Sequence, residues 1–301
     1  MASLLSHIAG QLRRVFLLTA LSGLGCALLV HYAPGAQVDD RELNLRLNQQ
    51  SIEAIRAERA AANHLGSALG KYLRQLVHGD LGFSTSKNAP VLELIQETAP
   101  TTAHEVLWGL AGSWLVALTL AIAAGQATNR ALARAFDLST GAAAGLVLSV
   151  PTALLAYLCL SEGARVEWVF VLALAPRIFR TSKSLLDESY SSMPVLMARA
   201  LGFSEWRILT RVTLPRTAPA LLALAATSVA LGLGAAIPIE TICDVAGLGR
   251  LAWQAALSRD LFLLVNLTMI IAITTTAAMG LSELLHPRTT GNIRTRVELA
   301  A

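Results

Sequence analysis

The chain has 301 residues, of which 54% are hydrophobic and 15% charged, with a mean hydropathy of +0.55. Soluble domains carry about 25% charged residues, so the deficit excludes an ordinary soluble globule and points to an all-α polytopic membrane protein. A net charge of +4 is too small and too scattered for nucleic acid, and Cys26, Cys159 and Cys243 form neither a metal spacing nor a paired framework.

In chain order, Arg13 and Arg14 precede an apolar run, Val15 to Tyr32, with no convincing cleavage site after it. It reads as an uncleaved first membrane helix. Residues 33–100 mix both charges. Ile52, Ile55, Leu65, Leu69, Leu73 and Leu76 recur near helical spacing, which predicts two short amphipathic helices. Pro34-Gly35 breaks the chain at the start of this segment, and Gly79-Asp80 with Gly82 marks a turn near its end.

A helix needs about 20 mostly apolar residues to span the hydrocarbon core. Leu107–Ala124, Leu138–Leu160, Ala218–Ile239 and Leu261–Leu281 qualify. A weaker span centres on Trp168–Pro176 and borrows Val166, Ile178 and Phe179. The basic residues set the orientation. Arg13 and Arg14, Arg130 and Arg134, the set from Arg177 to Arg216, and Arg288, Arg294 and Arg296 all fall on one side if six helices span with both termini in the cytoplasm. The expected organisation is therefore residues 1–32, cytoplasmic N-terminus and first helix; 33–100, a helical extracytoplasmic cap; 101–287, a five-helix core; and 288–301, a cytoplasmic tail.

Between the fourth and fifth spans lies ARALGFSEWRILTRVTLP, Ala198 to Pro215. Pro194 suits a helix start. Gly202 suits the left-handed residue that ends one. Ser204 is a good N-cap for a second short helix, with Glu205 at its positive end. In that helix Ile208, Leu209 and Val212 share one face and Arg207 and Arg211 another, and Leu214-Pro215 is expected to stop it. On physical grounds alone an interfacial helix anchored by Trp206 and the arginines is the simpler reading. The other is a two-faced element that docks on a partner.

Ala198-Arg199-Ala200-Leu201-Gly202 followed by Ile208, Leu209 and Leu214-Pro215 resembles the EAA loop (195–215) of the inner-membrane permeases of binding-protein-dependent ABC importers, in their peptide/nickel branch. IETICDVAGLGRLAWQAALSRD resembles that branch's ETxxxxPGLGRL…RD segment through Glu240, Thr241, Gly247, Leu248, Gly249, Arg250, Leu251, Arg259 and Asp260. GDLGFS, from Gly79 through Asp80 and Gly82 to Ser84, resembles its GDLGxS, and Ala33-Pro34-Gly35 its APGD. Departures are Leu201 for a lysine, Met193-Pro194 for Asp-Tyr, Ala246 for a proline and Ala36 for an aspartate.

The resemblance implies the type I importer permease fold, in the cytoplasmic (inner) membrane of a bacterium. It implies alternating access driven by one or two cytoplasmic ATPase subunits, a paralogous permease partner and an extracytoplasmic substrate-binding protein. Peptides, nickel or related small solutes would be the cargo. Ala198, Ala200 and Gly202 would pack and hinge the loop, Phe203, Glu205, Ile208 and Leu209 would form the docking face, and Arg199, Leu214 and Pro215 would belong to the same ATPase-coupling segment. ATP and Mg would sit on the ATPase, with no cofactor or metal on this chain. Consistently, the sequence has no GxxxxGK[ST], and HEVLWG at His104 lacks the second histidine of a zinc helix. No GxSxG nucleophile elbow occurs either, so no catalytic residue is proposed. The five clear spans carry no charge, which disfavours an ion-coupled carrier. Thr227, Ser228, Asn266 and Thr275 are the polar residues that could face a path, although helix-to-helix hydrogen bonds are their commoner use. The alternative function is a stand-alone channel or secondary carrier with an interfacial basic helix.

Overall fold

Backbone in lipid must satisfy its own polar groups, and the long apolar runs of this chain do so as helices. The structure, a computed structural model, describes residues 2–32, 80–125 and 130–285. Helix α1 is Ala2–Tyr32. A small antiparallel hairpin follows residue 80, β1 (Phe83–Ser84) against β2 (Ala89–Pro90), with Ser84 opposite Ala89. Then come α2 (Val91–Gly125), α3 (Arg130–Ser149), α4 (Thr152–Ser161), α5 (Val166–Tyr190) and α6 (Met193–Ala200). The four-residue α7 (Glu205–Ile208) runs through a wide π turn, Leu209–Thr213, into α8 (Leu214–Ile242). Helices α9 (Leu248–Leu257) and α10 (Leu261–Leu285) complete the described chain.

Among the described residues, Val91–Ala124, Glu205–Ile242 and Leu261–Glu283 are long and apolar enough to cross a membrane, and the bent pair 137–149 and 152–161 makes a fourth if counted as one span. The run expected as one straight span, Leu138–Leu160, is thus broken, and its halves meet at 98°. Pro151 sits at the break; it has no N–H to continue α3 and holds the residue before it away from helical backbone. Helix α2 begins well before the expected span, at Val91, and Pro100 lies inside it. The helix also does not stop at Leu214-Pro215. Pro215 falls in the first turn of α8, where proline is tolerated, and the wide turn before it keeps the helix continuous. Residues 80–90 form the hairpin rather than a helix; the two amphipathic helices expected earlier in that segment, with Ala33 to Ala36 and Gly79, lie outside the described residues.

Two compact units divide the chain, residues 1–101 with 246–273 and residues 102–245 with 274–301. In the first, Val91, Ile95, Leu251, Ala252, Ala255, Leu263 and Leu267 form the core. Asp260, 1% exposed, organises the polar side of this unit. Its Oδ2 accepts from Ser84 Oγ at 2.7 Å, Ser86 N at 3.0 Å and Ser86 Oγ at 2.9 Å. Its Oδ1 accepts the Leu263 N–H at 3.2 Å and so caps α10. One residue earlier, Arg259 takes the left-handed backbone position (φ 54°) that ends α9, with its N–H on the Ala256 carbonyl. The Arg-Asp pair therefore closes one helix and opens the next. Asn266 adds a second tie, donating to the Leu81 and Phe262 carbonyls at 2.8 Å each.

The second unit is a bundle of α5 and α8 with the inner part of α2 and with α3 and α4. Val106, Leu110, Phe170, Ile178, Ala235 and Ile239 fill its centre. A Cβ on Gly109 would run into Phe170, so this glycine sets how closely α2 and α5 approach. Trp114 Nε1 donates to Ser228 Oγ at 3.0 Å across α2 and α8. Lys183 on α5 pairs with Asp187 at 2.6 Å and reaches Asp137 on α3 at 3.4 Å.

Asp260→Ala removes the acceptor of four hydrogen bonds, and the fully buried Ser84 hydroxyl loses its shortest partner while still accepting the Lys87 N–H. Each bond to a charged group contributes about 1.5–3 kcal/mol, so the variant is expected to insert normally but to release the hairpin. Amide exchange over residues 80–90 should rise at least about tenfold, and unchanged exchange there would show that Asp260 does not hold it.

Candidate functional site

The segment joining α5 to α8 holds a left-handed glycine, Gly202, and the wide turn Leu209–Thr213. Helix α6 ends in a Schellman motif: the Phe203 N–H bonds the Ala198 carbonyl at 3.1 Å and the Gly202 N–H bonds the Arg199 carbonyl at 3.0 Å. The motif needs a left-handed residue, and Gly202 supplies it at φ 76°. Three residues separate it from the buried Ala198, the Ala-x-x-x-Gly spacing. Ser204 stands at the N-cap position of α7 in extended backbone, but its side chain makes no capping bond, so the cap expected from its identity is positional only. Pro194 falls in the first turn of α6, as expected.

Inward and outward faces of this helix pair differ sharply. Val195, Ala198, Ile208 and Leu209 are buried in the bundle core with Tyr190, Ile178 and Ile239. Burying an aliphatic chain of this size stabilises by about 1.5–3 kcal/mol, so the pair is packed into the bundle. Met197, Leu201 and Trp206 point outward at 64%, 74% and 67% exposure, with Phe203 at 42%. Ala200, Thr210 and Pro215 are also exposed, and Leu214 is half-buried. The docking residues expected from the resemblance therefore split: Phe203 and Glu205 face outward, Ile208 and Leu209 inward.

Charge locks the two helices across the glycine. Arg199 Nε and Nη2 donate to the two carboxylate oxygens of Glu205 at 3.0 and 3.3 Å. The same guanidinium stands 6.0 Å from the Tyr190 ring centroid, and Arg207 stands 5.5 Å from that of Phe203. Both partners of the ion pair are about half exposed, so it fixes the angle between the helices more than it adds stability. Burial, with the Glu205 charge nearby, pushes the Tyr190 phenol above its usual range, and it stays neutral at physiological pH.

The other sequence candidates lie elsewhere. Ser228, 1% exposed, is occupied by Trp114 and the Ala225 carbonyl; Thr227 is exposed and bonds the Ala223 carbonyl. Asn266 is a tie of the first unit, and Thr275 is half-buried on α10. Asp80 turns the loop before β1 by accepting the Gly82 N–H at 2.9 Å. Gly247 caps α9 and, like Gly249, is buried; Arg250 is half-buried. Thr241 bonds the Ile237 carbonyl. Glu240 is fully buried in the second unit and accepts from Thr102 Oγ1 at 2.7 Å.

Sequence reasoning missed Glu105, 8% exposed on α2 and within electrostatic reach of Glu240 and Glu167. It stands two residues before the apolar run counted as a span, and the early start of α2 is what places it inside the helix. A cleft of about 230 Å³ between α2, α3 and α5 is lined by Val116, Leu120, Thr140, Ala144, Val171 and Phe179 and offers no charged group. Among the described residues no group of three or more His, Cys, Asp or Glu is placed to hold a metal.

Residues 117–291, more than half of the chain and the whole helix pair with it, match the family described as binding-protein-dependent transport system inner membrane component. A Brucella suis biovar 1 chain named "Putative peptide transport system permease protein" is 27% identical over 238 residues, covering 70% of this chain and 74% of that one. A second chain of the same strain, named a peptide permease, is 26% identical over 289 residues, covering 83% of this chain and 89% of that one. Among solved structures, a chain of the MetNI methionine ABC transporter in inward-facing form superposes with a TM-score of 0.57 at 16% identity, covering 65% of this chain and 98% of that one; this likeness shows the fold. The interrupted helix pair thus sits in a recognised frame: the chain belongs to the binding-protein-dependent transport inner-membrane components, multi-pass permease subunits of ABC importers.

Proposed function

We propose that this permease carries peptides or related small solutes, nickel among them, and that the α6–Gly202–α7 pair is its coupling element to a cytoplasmic ATPase. The observation that carries the reading is the two-sided burial of that pair. Ile208 and Leu209 are 0% and 1% exposed in the bundle core, while Leu201, Phe203 and Trp206 face away from it. A force applied to the outer face therefore reaches α5 and α8 through packed side chains rather than through a free loop. The peptide cargo is suggested by the names of the Brucella relatives.

In this reading Arg13, Arg14 and the basic 177–216 segment face the cytoplasm, as does the C-terminus. The chain pairs with a paralogous permease, receives cargo from an extracytoplasmic binding protein and alternates between inward- and outward-facing states. ATP acts as the ligand with different affinities for those states. The chain itself does no chemistry: ATP and Mg belong to the ATPase, and this subunit supplies the path and the lever.

Gly202→Pro tests the lever. Proline cannot take a φ near +76°, so the Schellman motif fails and the angle between α6 and α7 is lost. ATP-dependent uptake into vesicles is expected to vanish while membrane insertion persists, and normal uptake would sink the coupling reading. A second variant tests the outer face alone. Trp206→Ala removes an aromatic that is 67% exposed. If it is an interface anchor, the amount of ATPase copurifying in mild detergent should fall about tenfold or more, with the melting of the permease unchanged. Undiminished copurification would assign Trp206 to the lipid surface instead.

A further inference from the structure

Several threonines in this chain's helices donate their hydroxyl to the carbonyl four residues back, while Thr102 donates to Glu240 and Thr140 and Thr268 to carbonyls three back. Thr98 bonds Leu94, Thr181 bonds Arg177, Thr210 bonds Trp206, Thr217 bonds Thr213, Thr227 bonds Ala223 and Thr241 bonds Ile237, all between 2.6 and 3.2 Å. Thr213 breaks this pattern. It is 0% exposed and its Oγ1 has no partner. In a regular turn its acceptor would be the Leu209 carbonyl; here that carbonyl is turned to the Leu214 N–H, five residues on, and the Thr213 hydroxyl makes no bond to it. A buried hydroxyl without a partner is unfavourable, and the regular α path would satisfy it.

A second residue holds the turn open. In a regular helix the Pro215 ring would press on the Arg211 carbonyl, four residues back, and a widened turn relieves that contact. Pro215 thus favours the wide form and Thr213 the closed one. Both act on the five residues that join the helix pair to α8. Ser189 Oγ and Tyr190 Oη, on the last turn of α5, are likewise buried without partners, and α5 packs on this turn. The polar groups around the joint are therefore incompletely satisfied in the wide form.

We propose that Leu209–Thr213 is a two-register joint and that Thr213 is the positioning residue that sets its balance. In the wide register, the one in this structure, Thr213 Oγ1 is buried and unpaired. In the closed register it bonds the Leu209 carbonyl, and the α6–Gly202–α7 pair is screwed about the axis of α8 by a fraction of a turn. This rests on the coupling reading above: ATPase closure supplies the load that shuts the turn, and the Thr213 bond holds it shut.

The test uses the importer purified with its copurifying partners, carrying spin labels at Leu196→Cys and Arg216→Cys, both exposed. Thr213→Val keeps the shape and removes the hydroxyl; Thr213→Ser keeps the hydroxyl. Wild type is expected to show a change of label distance on nucleotide trapping. Thr213→Val should hold the distance found without nucleotide and slow uptake about tenfold. It should also melt about 2–4 °C higher, because the unpaired hydroxyl is gone from the resting form. Thr213→Ser should restore the distance change. A Thr213→Val protein that changes distance and transports like wild type, or that melts lower, overturns the proposal. If an ATPase copurifies but wild type shows no distance change, the joint is a fixed bulge while coupling stands. If no ATPase copurifies, the coupling reading falls and the joint's role with it.

Discussion

Ile208 ends a short helix that also carries Glu205, Trp206 and Arg207, Leu209 opens the wide turn that follows, and the two are buried to 0% and 1% exposure. That burial is the constraint on which the rest of the second unit turns. Without it α6 and α7 would be a surface loop lying on lipid headgroups, free to move without consequence. With it the pair shares one packed core with Phe170 and Ile178 on α5 and Ile239 on α8. Packed cores do not deform smoothly, so a displacement of the pair must move those helices or be resisted by them. The Schellman turn at Gly202 and the Arg199–Glu205 pair fix the angle at one end, and the wide turn before Pro215 leaves adjustment at the other.

The first unit follows a different logic. Its core is small, and the hairpin above it has only two residues in each strand. One buried carboxylate, Asp260, compensates by accepting four hydrogen bonds and capping α10. This gives a physical reason for two motifs separated by more than 170 residues to occur together, since Ser84 closes GDLGFS and Asp260 closes the Arg-Asp pair. They are two halves of one contact. Glu240, from the start of the same long motif, works in the other unit, where Thr102 donates to it.

Much of the second unit was legible because its signals are local. Gly202, Pro194 and the Ile208–Leu209 face follow from backbone and periodicity, and the structure places them as those rules require. Three features were not legible, for identifiable reasons. Apolar length alone cannot distinguish a straight span from the pair broken at Pro151, because the two halves together are apolar enough to span. Leu214-Pro215 reads as a stop, since the rule for proline assumes regular α geometry and the chain evades it by widening one turn. Glu105 was passed over because a charge at the edge of an apolar run looks like a boundary; only the extra helix from Val91 brings it inside. The roles of Ile208 and Leu209 were ambiguous for a related reason: periodicity shows that they share a face but not what covers it.

The central claim, that the 193–215 element couples this permease to an ATPase, is tested most directly by mild-detergent purification of the tagged chain from its own host's membranes, with every copurifying chain identified. The account requires a P-loop ATPase in near-stoichiometric yield, accompanied by a second permease. It also requires the ATPase to become crosslinked to a cysteine placed at exposed Leu201 but not to one at exposed Leu146 on α3. A chain that comes out alone, under conditions that keep known importers whole, would contradict it. The helix pair would then be a membrane-surface element of a stand-alone pore.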